Sequence, residues 1–408
     1  MGLTMSERRA VTKTIARRYR GQDRAGKKVI LDQLCELTGW HRDHARKALR
    51  EVLKVKIVRE RRARPPIYGE DVIVVLRFCW AVMGTASGKR MAPFLGELVP
   101  VLRAFGELKI ADETATAVCA MSAATIDRRL APDRAKLQVR GRSLTKPGSL
   151  LKDAIPMRTW ADWDDAVPGF VEIDLVGHEG GNPSGEHAYT LTVTDIATGW
   201  TENRSVRNKA QRWVFAALMD IRDHLPFPLL GIDSDNGSEF INHHLFAWCT
   251  EHQVTFTRSR SGNKNDGAHV EQKNWTQVRQ IAGYHRYDTD AELELMNRIW
   301  ARQTDLTNFF YPQQKLIAKE RVGAKVIKKY DTGPTPHRRA IIAVTVTKKT
   351  KTALTRRYAK INPAAAQREI QALTDQLLTL TLAKKAPRTQ PTIRAKSDEA
   401  TNQATRAS

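Results

Sequence analysis

The chain has 408 residues, 41% of them hydrophobic, and a formal net charge of +23. It is too long for one ordinary domain, so we expect several domains, each with enough apolar residues for a core. The strong positive charge indicates a polyanionic partner, most simply nucleic acid.

Further classes are excluded by pattern. The chain has no apolar run long enough to cross a bilayer, and its N-terminus lacks a signal-peptide core. The four cysteines, Cys35, Cys79, Cys119 and Cys249, are too scattered for a disulfide framework or a cysteine-based zinc site. We therefore expect a protein of a reducing, intracellular compartment that is not inserted in a membrane.

The charge is unevenly distributed along the chain. Residues 168–290 hold 11 basic and 16 acidic residues, whereas the rest of the chain holds 56 basic and 28 acidic residues. An acidic block between basic flanks is unexpected in a protein that only coats nucleic acid. It is expected in one that concentrates metal ions there.

The first predicted domain, residues 1–58, consists of a basic flexible arm (1–27) and a helix-turn-helix. Ile30, Leu31, Leu34 and Leu37 have helical spacing, and Gly39 interrupts the pattern. The second helix carries a stripe of basic residues at i, i+4 and i+8, which is typical of a DNA-recognition helix: Arg42, Arg46 and Arg50. The alternative is a solvated basic face on a small helical domain.

Residues 70–134 predict a second helical domain that resembles a helix-turn-helix. Ser122 is a candidate N-cap for a helix that buries Ile126 and Leu130 and presents Arg128 and Arg129 to DNA. Residues 135–168 contain several prolines among basic residues and are interpreted as a linker.

Residues 169–290 have a different sequence pattern, in which predicted strands and helices are mixed. Segments such as "FVEIDLVGH" and "HAYTLTVTDIATGW" predict strands, and the predicted order is βββ-α-β-α-β-α. Three antiparallel strands followed by crossover units predict a mixed sheet. The fold class is therefore multidomain, with α domains followed by an α/β core.

Residues 312–362 include the basic stretch "RRAIIAVTVTKKTKTALTRRYAKI", whose β-branched residues predict a small β-rich domain. A helix at 363–384 begins at Asn362-Pro363, and Ile370, Leu373, Leu377 and Leu380 form its apolar stripe. The apolar stripe either packs against its own domain or mediates self-association. Residues 385–408 are predicted to be disordered.

Three carboxylates are candidates for chemistry. Asp174 lies within the first predicted strand, Asp235 ends the fourth, and Glu271 lies near the start of a helix. Three acids brought together need a cation, and Mg²⁺ or Mn²⁺ with oxygen ligands is the natural occupant. Two such ions would support phosphoryl transfer.

Four other acids are less favoured. Glu172, on the same strand face, and Asp195, at the end of the second strand, are alternatives to Asp174. Asp233 is interpreted as a supporting or surface carboxylate. Glu239 lies in the first turn of a helix, where the dipole favours a negative charge without a catalytic role.

The order of these acids carries a resemblance to a known family. Asp235 in "SDNGSEF" and Glu271 in "HVEQKNW" are separated by 35 residues. With Asp174, this pattern resembles the catalytic core of the DDE superfamily, which comprises retroviral integrases and insertion-sequence transposases.

The resemblance implies a ribonuclease-H-like core in which Asp174, Asp235 and Glu271 bind metal and catalyse DNA cleavage and strand transfer. It also implies a homo-oligomer on paired double-stranded DNA ends. The expected location is then the bacterial cytoplasm, in association with the nucleoid. The chain departs from the retroviral pattern because His41 and His44 have no companion C-x-x-C. The alternative function is a sequence-specific DNA-binding regulator with an inactive core.

Basic residues near the acids are candidate phosphate contacts. The loop before the Glu271 helix contributes Arg258, Arg260 and Lys264, and the helix itself contributes Lys273 and Arg279. Arg279 lies two turns beyond Glu271, whereas Lys273 is rotated by about 200°. His178 could orient water or phosphate, although an ordinary structural histidine is the alternative.

Overall fold

The computed structural model describes residues 3–54, 67–136, 167–234, 240, 243–258 and 268–384, without the side chains of residues 268, 269 and 271. The chain divides into two compact units, Met1–Ile67 and Tyr68–Ser408. The predicted linker at 135–168 and the predicted tail at 385–408 lie almost entirely outside the described residues.

The described part of the first unit contains three helices, α1 (Met5–Arg20), α2 (Arg24–Thr38) and α3 (Arg42–Val52). Helix α2 ends at Gly39, whose φ of +68° is left-handed and suits glycine. Residues 39–41 connect α2 to α3, whose Ala45 and Leu49 are buried. The two predicted helices are therefore present, and whether they read DNA remains a proposal.

The predicted flexible arm is wrong. A capping box between Thr4 and Glu7 starts helix α1, and Ala16 is completely buried in the core of this unit. The apolar stripe of α1 is narrow, with Val11 and Ile15 at helical spacing among many basic residues. Tertiary packing against α2 and α3 stabilises a helix whose composition is mostly polar.

The second unit begins with five helices, α4 (Glu70–Val82), α5 (Gly88–Met91), α6 (Leu95–Ala104), α7 (Asp112–Cys119) and α8 (Ala123–Ala135). Ser122 caps α8, and Ile126 and Leu130 are buried, as the pattern predicts. These helices do not have a core of their own. Leu76 belongs to the same hydrophobic cluster as Trp300 and Ile370, so residues 70–134 are joined to the C-terminal helices.

The five-stranded sheet of the second unit is mixed, as predicted. Its strands are β1 (Phe170–Gly177), β2 (Tyr189–Asp195), β3 (Thr201–Val206), β4 (Gly231–Ser234) and β5 (Thr255–Arg258), in the order β3-β2-β1-β4-β5. Strands β1, β2 and β3 pair antiparallel, and β4 lies parallel between β1 and β5. The crossover helices are α9 (Gln211–His224) and α10 (His243–Glu251).

The two faces of the sheet differ in chemistry. One face is apolar, and Ile173, Leu191 and Ile232 join a core with Val214 and Leu245 of the crossover helices. The opposite face is polar and nevertheless buried. It contains these residues: Glu172, Thr190, Thr192, Thr194, Thr201, Asn203, Ser205, Asp233 and Thr257.

A helical layer covers the polar face. It consists of α11 (Ala268–Lys273), a π-helical segment (Asn274–Arg279), α12 (Gln280–Ala282) and α13 (Asp290–Phe309). Side chains of this layer bond to the sheet: Trp300 Nε1 donates to Ser205 Oγ over 2.7 Å, and Asn308 Nδ2 donates to the Thr201 carbonyl over 2.9 Å. These bonds satisfy polar groups that burial would otherwise make costly.

The C-terminal region differs from its prediction. It contains one hairpin, β6 (Leu316–Val322) and β7 (Lys325–Tyr330), followed by α14 (Pro336–Ile342), α15 (Lys348–Lys360) and α16 (Pro363–Ala383). The stretch that we expected to be β-rich is therefore largely helical. Thr335 and Thr347 cap α14 and α15, so local capping and packing outweigh the strand preference of the β-branched residues.

Helix α16 begins with Asn362 as its N-cap, as predicted. Its residues Ile370, Leu373 and Leu377 are buried, whereas Leu380 is 42% exposed. The stripe therefore packs within the second unit. No helix in the described part of the chain is long and apolar enough to span a membrane.

Candidate active site

Asp174 lies in β1 with its side chain half-buried on the polar face of the sheet. One carboxylate oxygen, Oδ1, accepts a hydrogen bond from the Leu175 amide at 2.8 Å. The other, Oδ2, accepts from Asn274 Nδ2 at 2.6 Å. The second bond joins β1 to the helical layer at the residue that the sequence favours most for chemistry.

Two further acids lie near Asp174, Glu172 on the same strand and Asp233 on the neighbouring strand β4. Glu172 and Asp233 are register partners, and each is only 1% exposed. Glu172 Oε2 accepts from the Val270 amide at 3.1 Å, and Asp233 Oδ1 accepts from Thr257 Oγ1 at 2.6 Å. Glu172 thus fixes the start of α11 against β1. Asp233 is buried in the sheet, so it is not a surface carboxylate.

The structure describes the other two predicted catalytic acids, Asp235 and Glu271, only in part. Asp235 and Glu239 lie outside the described residues. Glu271 belongs to helix α11 between Val270 and Lys273, but its side chain is among those not described. No group of three or more histidine, cysteine, aspartate or glutamate residues that could hold a metal is found among the described residues.

Asp195, the second alternative to Asp174, has a structural role. Its carboxylate accepts bonds from the Gly169 amide at 2.7 Å, from the Thr198 amide at 2.7 Å and from Thr198 Oγ1 at 2.6 Å. Burial raises the pKa of Asp195 to about 6, against the lowering effect of these bonds. This side chain holds the turn between β2 and β3 and the entry to β1.

Polar atoms without partners are concentrated beside Asp174. Thr192 is its register partner on β2, and Asn203 is the partner of Thr192 on β3. Within the described part of the chain, three oxygen atoms here are buried without a hydrogen bond: Thr192 Oγ1, Asn203 Oδ1 and Asn274 Oδ1. Buried oxygens in this state are suited to ordered water or a cation.

Asn274 is a functional candidate that the sequence analysis did not single out. A signal was present, because Asn274 follows Glu271 by three residues and residues at i and i+3 share a helix face. Gln277, three residues further on, accepts from Asn203 Nδ2 at 3.3 Å. The amides of the π-helical segment thus cover the row Asp174, Thr192, Asn203.

Arg279 does not present its guanidinium to solvent, contrary to the expectation of a DNA contact. It is 7% exposed and donates to the Gly177 carbonyl at 2.8 Å and to the Gly283 carbonyl at 3.3 Å. The π-helical segment explains the difference, because its i→i+5 geometry changes the rotation that an α-helix would give between Glu271 and Arg279.

His178 is also internal. It is completely buried, and its Nε2 lies 2.8 Å from Thr190 Oγ1. Burial, with a contribution from the positive charge of Arg279, lowers the pKa of His178 well below its usual value. His178 therefore remains neutral within the fold, and the ordinary structural role applies.

The remaining basic candidates differ in exposure. Arg258 ends β5 and is half-buried, Arg128 is exposed and Arg129 is half-buried, whereas Arg260 and Lys264 lie outside the described residues. In the first unit, Arg42 pairs with Asp32, Arg46 pairs with Asp43 at 3.0 Å, and Arg50 is exposed. Lys273 lines a cavity with Arg90.

Comparison with known proteins places this core in a family. The model of the integrase core domain matches residues 164–264. The uncharacterized protein y4rM of Sinorhizobium fredii (strain NBRC 101917 / NGR234) is 36% identical over 335 residues, which cover 80% of this chain and 93% of y4rM.

Solved structures of low similarity are also matched. The catalytic core domain of BIV integrase is 16% identical and covers 42% of this chain and 91% of its own, with a TM-score of 0.29. The HTLV-2 integrase catalytic core domain in complex with magnesium is 14% identical and covers 37% and 93%, with a TM-score of 0.28.

An integrase core implies chemistry of the polynucleotidyl transferase class, supported by divalent metal ions. The match of the integrase-core model lies on the mixed sheet that carries Asp174, and the match to the Sinorhizobium protein extends over most of the chain. The chain belongs to the DDE-type integrase and transposase superfamily.

Proposed function

We propose that the protein is a DNA transposase that binds the ends of its element, cleaves them and joins them to target DNA. Asp174, Asp235 and Glu271 form its catalytic triad. The observation that carries this proposal is the hydrogen bond from Asn274 to Asp174, because it brings the helix of Glu271 against the strand of Asp174.

The strand register supports the inclusion of Asp235. Ile173 on β1 is the partner of Ser234 on β4, and the two strands are parallel. The next residues in the chain are Asp174 and Asp235. A register that continued by one residue would make these two acids neighbours on the same face of the sheet.

The residues present fit a divalent metal ion. Asp174 supplies a carboxylate beside the unpaired buried oxygen Asn274 Oδ1, and Asp235 and Glu271 add two hard oxygen donors of the kind that Mg²⁺ and Mn²⁺ prefer. Bound there, two ions would activate the attacking oxygen and stabilise the leaving oxygen of a phosphodiester. Asn274 would orient Asp174, and Glu172 would position the start of α11.

Double-stranded DNA is the proposed partner, and three surfaces supply cations for it. The first is the exposed edge of α3 with Arg46 and Arg50, and the second is the surface of α8 with Arg128 and Arg129. The third is the β6–β7 hairpin, in which every residue of both strands is exposed. These surfaces would make binding dependent on salt, because phosphate contacts release counterions. A homo-oligomer would bring two DNA ends together.

The test is cleavage of labelled element ends with Mg²⁺ or Mn²⁺. We expect the wild type to nick the ends, and Asp174→Asn, Asp235→Asn and Glu271→Gln to lose nicking while they keep DNA affinity. Glu251→Gln is the matched control, since it changes an exposed acid of the same core that lies outside the proposed triad. DNA binding without nicking by the wild type would favour the regulator with an inactive core.

A further inference from the structure

A large cavity lies within the second unit, and α11 and the π-helical segment contribute residues to its lining. Its volume is about 790 Å³, and α4, α5, the π-helical segment and α16 contribute to its walls. Pockets of this size are typical of small-molecule sites. Asp174 does not line the cavity, and ideal helix geometry places Lys273 about 200° around the helix from Glu271.

Two cations line this cavity, and the described residues supply neither of them with a counter-charge. Arg90 of α5 and Lys273 of α11 are half-buried, and neither side chain has a hydrogen bond or ion pair with any described residue. Among the described side chains, the charges that act on Lys273 are those of Arg90 and Arg339, and both are positive. Partly buried cations without a partner are costly, so a bound anion would stabilise both of them.

The rest of the lining supports this reading. None of the described residues that line the cavity is acidic, and Arg368 at its edge is already paired with Glu107 at 2.8 Å. Six glutamines line it: Gln277, Gln280, Gln303, Gln313, Gln367 and Gln371. Gln313 Nε2 is buried without a hydrogen-bond partner among the described residues, so its amide N–H groups could donate to a ligand.

We propose that this cavity, the glutamine-lined cavity, binds a phosphate-bearing anion through Arg90 and Lys273. The amide groups are suited to the polar parts of such a ligand, and Trp80 and Tyr311 form aromatic parts of the wall. The phosphate belongs either to a free ligand of nucleotide size or to a phosphodiester of DNA. Because Lys273 lies on the helix that carries Glu271, occupancy would fix the position of α11.

The experiment is isothermal titration calorimetry of the full chain with inorganic pyrophosphate and, separately, with a short DNA duplex. The variants are Arg90→Gln and Lys273→Met. The matched control is Lys89→Gln, because Lys89 precedes Arg90 on α5 but is exposed and does not line the cavity. We expect both variants to weaken pyrophosphate binding by at least about tenfold and the control to leave it unchanged.

The duplex distinguishes the two sources of phosphate. If the ligand is free, the duplex binds both variants like the wild type, and pyrophosphate does not compete with it. If the ligand is DNA, both variants weaken duplex binding more than Lys89→Gln does, and pyrophosphate competes. Equal binding of both probes by the wild type and both variants would overturn the proposal, as would an equal loss in Lys89→Gln.

Thermal unfolding without ligand gives an independent readout. Since Arg90 and Lys273 repel each other, Lys273→Met should unfold at the same or a higher temperature than the wild type. A marked decrease would show that the charge of Lys273 is already balanced inside the fold, which contradicts the proposal. Neither result depends on cleavage activity, so the proposed transposase function is tested separately.

Discussion

Asn274 donates a 2.6 Å hydrogen bond to the Asp174 carboxylate, and the two residues are 100 positions apart in the chain. A second bond joins the same two elements, because the Val270 amide donates to Glu172, which lies on the same strand as Asp174. Two bonds between α11 with its π-helical extension and β1 fix both the distance and the rotation of the helix that carries Glu271.

The first prediction concerns this bond. Asn274→Ala removes a charge-assisted donor to Asp174, and we expect nicking to decrease by about 10- to 100-fold, with a higher divalent-ion concentration needed for half-maximal activity. Thr276→Ala is the control, because among the described residues Thr276 Oγ1 bonds only to the carbonyl of Gln272, one turn earlier in the same helical layer. An unchanged metal dependence in Asn274→Ala would contradict the positioning role.

The second prediction concerns the hairpin. Lys319 lies opposite Lys328, and Arg321 lies opposite Val326, so one face carries three cations and no acid. Like charges directly opposite each other destabilise a strand pair, which makes a bound phosphate backbone favourable on this face. Lys319→Ala with Lys328→Ala should weaken DNA binding and reduce the logarithmic salt slope by about two.

The other face of the hairpin provides a matched control. Lys325→Ala with Lys329→Ala removes the same charge from the same two-stranded element, but from the face that also holds Glu320. We expect a smaller change in salt slope for this pair, measured by fluorescence anisotropy over a range of salt concentrations. Equal effects of the two double variants would show that only net charge matters.

The third prediction concerns the first unit. Arg50 is exposed, whereas Arg42 is engaged by Asp32. Arg50→Ala should therefore reduce the affinity for the element end and lower the salt slope by about one, and Arg42→Ala should have a smaller effect. Lys28→Ala, an exposed lysine on α2, serves as the control. If Arg50→Ala binds like the control, recognition lies elsewhere in the chain.

The fourth prediction concerns the pH dependence of stability. His337 is 3% exposed, and both ring nitrogens lack a hydrogen bond within the described part of the chain. Burial, aided by the charge of Arg338 and opposed by that of Glu97, lowers the pKa of His337 to about 4. Between pH 6.5 and 4 the unfolded chain binds a proton that the folded chain does not, so stability falls as the pH falls.

The measurement is the free energy of unfolding in denaturant for the wild type and for His337→Leu at pH 7 and at pH 4. The stability of the wild type relative to the variant should decrease by on the order of 2 kcal/mol over this range. The difference between the two proteins isolates His337 from Asp195, whose raised pKa acts in the opposite direction. A difference that is constant with pH would exclude a buried neutral His337.

The mixed sheet was predictable because its signals are local. Alternation within "VEIDLV" and "TLTVTD" indicates strands, and the three antiparallel strands precede the crossover units in the chain. The same local signals failed at α1, whose narrow apolar stripe is stabilised by packing on α2 and α3. They also failed at α15, where β-branched threonines occur in a helix that Thr347 caps.

The sequence by itself determined which residues could do chemistry here, because the type, order and separation of Asp174, Asp235 and Glu271 are properties of the chain. Only the tertiary structure decided which side chains support them. Asn274 reaches Asp174, and Arg279 turns inward, because strand register and a π-helical segment set the rotation of one helix on the sheet. Both depend on contacts between residues about 100 positions apart, which local periodicity does not encode.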